Sequence, residues 1–94
     1  MTIVWSPRAI EHLTRLRSYI EHDNPKAASR IAGTLLGAVE HLAELPHLGR
    51  TGRVTGTREM VVPDTPYVIA YRLRGDRLEV VAVFHARQKW PKQL

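Results

Sequence analysis

The order of apolar patterns along the chain predicts an α+β domain: an N-terminal strand and an antiparallel helical hairpin packed on one face of a small, mainly antiparallel four-stranded sheet. Three observations carry this. Two stretches with apolar residues at helical spacing follow one another directly, each introduced by a capping residue and a proline. Two apolar runs, Tyr67–Leu73 and Leu78–Phe84, flank the turn sequence Arg74-Gly75-Asp76-Arg77. The remaining apolar segments, 2–5 and 57–62, are short enough to be single strands. Ninety-four residues support one domain, 1–94, with one modest core.

Thr2-Ile3-Val4-Trp5 is the first strand. Ser6-Pro7 then supplies an N-cap and a proline at the first helical position, where the missing N–H costs nothing. Ala9, Leu13, Leu16 and Ile20 form the apolar stripe of a helix over 7–22. Asn24-Pro25 repeats the start signal, and Ile31, Leu35, Val39 and Leu42 mark a second helix over 25–45, stopped by Pro46. So short a connection folds the two back as a hairpin. Gly33 and Gly37 interrupt the second helix at about 1 kcal/mol each, which suggests close approach by the first helix or the sheet. Residues 46–53 read as a loop rich in glycine and arginine. It lacks the lysine and glycine spacing of a phosphate-binding loop.

The C-terminal hairpin fixes a register by counting from Gly75-Asp76, because glycine tolerates the positive φ of a tight turn. Leu73, Tyr71, Ile69 and Tyr67 then face Leu78, Val80, Ala82 and Phe84, an apolar set that should meet the helices. The other face carries Arg72 opposite Glu79 as a cross-strand ion pair, Ala70 opposite Val81 and Val68 opposite Val83. It is expected to be open to solvent, with Val68, Ala70, Arg72, Val81 and Val83 forming a half-apolar strip suited to a partner.

At 44% hydrophobic and 24% charged residues the composition is that of a globular protein and not of a disordered tail. Cysteine is absent, which excludes disulfides and thiolate metal sites. No run is long enough to span a bilayer, and the expected location is cytoplasmic, without membrane contact. The net charge of +5 is uneven. Residues 1–48 balance, whereas residues 49–94 hold nine basic and four acidic side chains. Such a half suits a polyanion or an acidic protein segment, or is a merely solvated surface.

The residues with chemical potential lie in that half. His85 and Arg87 close the last strand beside Gln88, and Arg50, Arg53 and Arg58 precede the hairpin. Gathered by the sheet, they would make an arginine-rich concavity with one imidazole. Arginine forks onto phosphate oxygens, and histidine titrates near neutral pH. His85 as acid or base, with Arg58 and Arg87 holding phosphate, would suit attack of a 2′-hydroxyl on the adjacent phosphate. The plainer reading is a strand-end histidine and arginines kept for solubility or an acidic partner. Glu59 reads as a cross-strand partner for an arginine, and Trp90 as a stacking group or a pin for the chain end. His12, His22, His41 and His47 have no metal-ligand spacing, and no metal or cofactor is expected.

Taken together, these stretches resemble the RelE/ParE superfamily of bacterial toxins from type II toxin–antitoxin modules. The matching residues are Trp5-Ser6-Pro7 with Ala9, Ser18-Tyr19-Ile20 with Asn24-Pro25 and Ala27-Ala28, then Pro46, Leu48-Gly49-Arg50 and Gly56-Thr57-Arg58-Glu59. They continue through Tyr67–Arg72 and Val83–Pro91, so the likeness covers nearly the whole chain. The resemblance implies a toxin held inactive by an antitoxin encoded beside it, whose acidic tail would fold onto the strip of Val68, Ala70, Arg72, Val81 and Val83. RelE-like members cleave mRNA on the ribosome with basic residues on the middle strands and near the C-terminus. Here Glu59, Val61 and Val68 stand at the strand positions, and only Arg87 matches. ParE-like members lack those residues and poison DNA gyrase. The resemblance therefore leans to a ParE-like toxin with no enzymatic activity of its own. A ribosome-dependent endoribonuclease is the alternative, and a regulatory member that only binds its antitoxin is a third. In each toxic case Arg50, Arg58, His85, Arg87, Lys89 and Trp90 are the expected target-binding residues.

Overall fold

The computed structural model describes residues 1–91 and 93–94. Strand β1 (Thr2–Trp5) leads into helices α1 (Pro7–Asp23) and α2 (Pro25–Glu44). Strands β2 (Arg50–Thr51), β3 (Arg58–Val61), β4 (Tyr67–Arg74) and β5 (Arg77–His85) follow. They form one five-stranded sheet in the order β1-β5-β4-β3-β2, antiparallel except where β1 runs parallel to β5. The additional strand is β2, two residues inside the expected 46–53 loop, too short for any periodicity to reveal.

Both helices start as their sequences require. The Ser6 hydroxyl accepts from the Ala9 N–H and the Asn24 side chain from the Ala27 N–H, each followed by proline. Ala9 from α1 and Leu35, Val39 and Leu42 from α2 pack on Ile69, Tyr71, Leu78 and Val80 of the sheet. Gly33 and Gly37 depart from expectation. Neither faces α1 or the sheet, both are exposed, and an added methyl group at either would touch nothing within 4 Å.

The hairpin keeps its counted register from the turn to Tyr71 opposite Val80, then loses it. A bulge leaves Val81 without an opposite residue, so Ala70 pairs with Ala82, Ile69 with Val83, Val68 with Phe84 and Tyr67 with His85. One inserted residue turns every later side chain of β5 to the other face. Val83, expected on the outer face, therefore packs in the helix-side core, whereas Phe84 and Ala82 lie in a second cluster on the opposite side. The bulge coincides with the junction of β1 and α1. There the Ser6 N–H donates to the Val80 carbonyl and the Ser6 hydroxyl to that of Val81.

The outer face is not open. After β5 the chain folds back so that Trp90 and Leu94 pack on Ala70, Val81, Ala82 and Phe84. Arg72 and Glu79 are opposite one another but do not pair. Arg72 donates to a Leu94 oxygen at 2.7 Å, and Glu79 meets Arg74 and Arg77 instead. On the helix side, the buried Tyr71 hydroxyl donates to the Pro46 carbonyl and accepts from the Gly49 N–H, tying down the loop after α2.

Candidate functional site

The residues expected to form one cationic concavity fall into two groups, and the pleat explains why. Arg58 on β3 pairs in register with Tyr71, and His85 on β5 with Tyr67, so the two flank β4 on opposite edges and lie roughly 13 Å apart along that strand. Arg58 also spends a guanidinium N–H on the Gly49 carbonyl at 2.8 Å.

The first group is built around Glu59. On β3 it points to the outer face beside Ala70, and its side chain is only 1% exposed. Arg50, its partner in register on β2, donates at 3.2 Å. Arg53 donates its backbone N–H at 2.6 Å and its guanidinium at 3.2 and 3.3 Å. Burial by itself would raise the carboxyl's pKa, but the hydrogen bonds from Arg53 and Arg50 outweigh it and hold Glu59 below its ordinary range. The same Arg53 guanidinium lies 3.9 Å from the centre of the Trp90 ring, which in turn packs on Phe84 at 4.3 Å. Glu59, Arg53, Trp90 and Phe84 are one continuous stack that fastens the C-terminal segment to the sheet. Arg50 and Trp90 therefore have structural work here, and the strip beneath is covered: Val68, Ala70 and Val81 are buried, and Val83 is on the helix side.

The second group surrounds the end of β5. Residues 85–88 form a tight turn in which the His85 Nδ1 accepts the Arg87 N–H and the Gln88 side-chain oxygen accepts the His85 N–H. Arg87 and Lys89 project from it, exposed and without an ion-pair partner among the described residues. His85 packs edge-on against Tyr67. Beside it is His12, to which no role was given on sequence grounds. Its Nδ1 accepts the Val83 N–H at 3.1 Å, an edge donor that β1 is too short to cover. Burial, reinforced by Arg8 and Arg15, holds the His12 pKa below its ordinary value, against a smaller opposing pull from Glu11. His12 and His85 line a shared groove of about 330 Å³ with Arg15, Tyr19, Tyr67 and Gln88. The sequence carries no signal for this meeting, because His12 and the Val83 N–H that anchors it lie 71 residues apart.

Exposed apolar side chains collect elsewhere. Leu48 and Val61 are about half exposed and border a groove of about 530 Å³ between α2 and β3. β2 covers only Arg58 and Glu59, so among the described residues the outer edge of β3 at Met60 and Val61 has no neighbouring strand. No described helix is long and apolar enough to cross a membrane.

Residues 3–90 match the family described as the ParE toxin of the type II toxin–antitoxin system, parDE. The chain belongs to this family. It is 46% identical over 92 residues to Y4kP of Sinorhizobium fredii, covering 98% of this chain and 95% of that one. It is 40% identical over 84 residues to toxin RelE2 of Caulobacter vibrioides, covering 89% and 93%. The fold matches a chain of the chromosomal ParDE system from P. aeruginosa with a TM-score of 0.83 at 18% identity, covering 90% of this chain and 95% of that one. The protein is thus a toxin of the type II toxin–antitoxin kind.

Proposed function

We propose that the toxin arrests growth by binding DNA gyrase and not by cutting mRNA. The observation that carries this reading is the state of the outer sheet face. A nuclease of the RelE kind needs free cations on the middle strands to hold and polarise phosphate. Here the middle of the sheet holds a buried carboxylate, Glu59, already occupied by Arg50 and Arg53 and closed over by Trp90. His85, Arg87 and Lys89 remain at the free end of β5 as a binding surface for an acidic target, next to Trp90, whereas Arg50 and Arg58 belong to the separate group on β2 and β3.

The antitoxin, on this reading, docks where apolar surface is exposed in the free toxin, in the groove bordered by Leu48 and Val61, with an extended segment beside the free edge of β3. The alternative surface of Val68, Ala70, Arg72, Val81 and Val83 requires the C-terminal segment to lift first. Val61→Asp should therefore weaken the complex more than Val81→Asp, once both variants are shown to fold.

Induced expression without antitoxin, with DNA, RNA and protein synthesis followed separately, tests the target. Early loss of DNA synthesis, and inhibition of supercoiling by purified toxin, support gyrase. Charge reversal at Arg87 and Lys89 should then reduce toxicity more than His85→Ala does. Immediate loss of translation with cut mRNA, abolished about 10²–10⁴-fold by His85→Ala, would overturn the reading. That outcome would favour the ribosome-dependent endoribonuclease.

A further inference from the structure

We infer that the groove between α1 and the end of β5 is a nucleotide-binding site, with the phosphate held by His12, His85 and Arg15 and the base against Tyr19 and Tyr67. The inference goes beyond the gyrase reading and does not depend on it. Its basis is the hydrogen-bond inventory of the walls. The Nδ1 atoms of both imidazoles are already acceptors, from the Val83 N–H and the Arg87 N–H, each at 3.1 Å. Each neutral ring must then carry its proton on Nε2, the nitrogen left for a ligand. The Gln88 oxygen accepts the His85 N–H, which leaves its NH₂ group as a donor. Arg15 adds a guanidinium that is largely exposed and shares its charge only with Glu11, one turn earlier on α1. Among the described residues, every side-chain nitrogen left free in this groove is a donor, and no carboxylate lines it.

Spacing and shape narrow the ligand further. His12 is anchored at Val83, two residues before His85, so the two rings attach roughly 7 Å apart along the strand. Two N–H donors at about 2.8 Å from oxygens of one phosphate span a similar distance. The apolar part of the lining holds two aromatic rings, Tyr19 and Tyr67, beside the aliphatic Leu16 and Val83, and Tyr19 is 79% exposed at the rim, where its ring face is open to a ligand. A volume of about 330 Å³ suits a mononucleotide better than a lone anion. Phosphate beside a flat ring is the chemistry these walls recognise, whether it comes from a free nucleotide or from one residue of a nucleic acid strand.

The test is NMR of toxin uniformly labelled with nitrogen-15, in which histidine ring and arginine side-chain resonances are both observed, separated from its antitoxin and refolded. The probes are adenosine monophosphate, adenosine, inorganic phosphate and a short oligoribonucleotide. Ring resonances of His12 and His85 should move together and saturate with the monophosphate, and respond little to adenosine. Arg15→Gln should raise the Kd about tenfold, the loss of one charge-assisted contact. An oligonucleotide that binds far more tightly than the monophosphate identifies the source as a strand, and equal affinity identifies it as free nucleotide. The inference is overturned if neither histidine responds at millimolar monophosphate, or if responses concentrate at Arg50 and Arg53. It is equally overturned if an Asp- and Glu-rich peptide shifts both rings where nucleotides do not, which would assign the groove to an acidic protein segment. None of these outcomes bears on gyrase, which is read by DNA synthesis and supercoiling.

Discussion

Replacing Glu59 should loosen the whole outer face of the sheet. The carboxylate accepts one backbone N–H, from Arg53 at 2.6 Å, and three guanidinium contacts from Arg53 and Arg50. The guanidinium contacts are discounted, because the arginine side chains are 63% and 45% exposed and can turn to water, leaving up to about 1 kcal/mol each. The backbone contact to a buried charged acceptor is worth about 1.5–3 kcal/mol. Glu59→Ala should therefore cost about 3 kcal/mol, and Glu59→Gln about half, because the amide oxygen still accepts the Arg53 N–H. Arg53 would also lose what holds it over Trp90, so the fluorescence of Trp90, isolated in a Trp5→Phe background, should shift toward that of a solvated indole. The pH dependence follows in sign. A carboxylate held below its ordinary value of 4.5 contributes stability that is present above that pH and lost as pH falls through the folded value. Urea unfolding at several pH values should show that acid-side loss in the parent and not in Glu59→Gln. If both variants unfold within about 0.5 kcal/mol of the parent, or if Trp90 does not respond in Glu59→Ala, the stack is not what fastens the chain end.

Other substitutions test neighbouring parts of the argument. Gly33→Ala and Gly37→Ala meet open space, so each should raise stability by about 0.5–1 kcal/mol in thermal or urea unfolding. Gly49→Ala should do the opposite by about 1–3 kcal/mol, because its methyl group would lie 2.7 Å from the buried Tyr71 ring and 2.9 Å from the Glu59 carbonyl oxygen. His12 should make stability pH-dependent. Its pKa is lowered in the fold, so its contribution is present above the ordinary 6.5 and is lost as pH falls below that toward the folded value, where the protonated ring cannot accept from Val83. His12→Gln should flatten stability between pH 7.5 and pH 5, read by urea midpoints.

What the chain discloses locally, it discloses well. Ser6-Pro7 and Asn24-Pro25 mark both helix starts because capping is a matter of three or four residues. Gly75, with φ of 59°, makes the turn its type requires and sets the register for the first four pairs. The count fails at Val81, where the bulge coincides with hydrogen bonds from Ser6, 75 residues away, and alternation within a strand cannot reveal a contact made from elsewhere. The site fails to be legible for the same reason. Arginine pairing for Glu59 follows from residue type, but that Arg53 would bridge it to Trp90 depends on the path of a loop. His12 looks like a surface histidine on a helix until β5 presents it with an unpaired N–H.

The covered sheet face bears on how a partner reaches this toxin. Among the described residues the attachments of the C-terminal segment are few: the Arg53–Trp90 contact, the packing of Trp90 and Leu94, and one hydrogen bond from Arg72. A cation–π contact with a half-exposed arginine contributes about 0.5–1 kcal/mol, a hydrogen bond about 1, and partial burial of the indole about 2–3 more. That total is several kcal/mol, whereas a nanomolar complex releases about 12. The segment is thus fixed enough to occupy its face in the free toxin and weak enough for a tight partner to displace. A partner that displaces it would sacrifice a large part of its own affinity, whereas one docking beside Leu48 and Val61 would not. Releasing the segment in advance distinguishes the two. Trp90→Ala should tighten a partner that binds beneath it and leave a partner in the α2–β3 groove unchanged. Tighter antitoxin binding by Trp90→Ala, measured by calorimetry, would move the interface to Ala70 and Val81 and overturn the groove assignment.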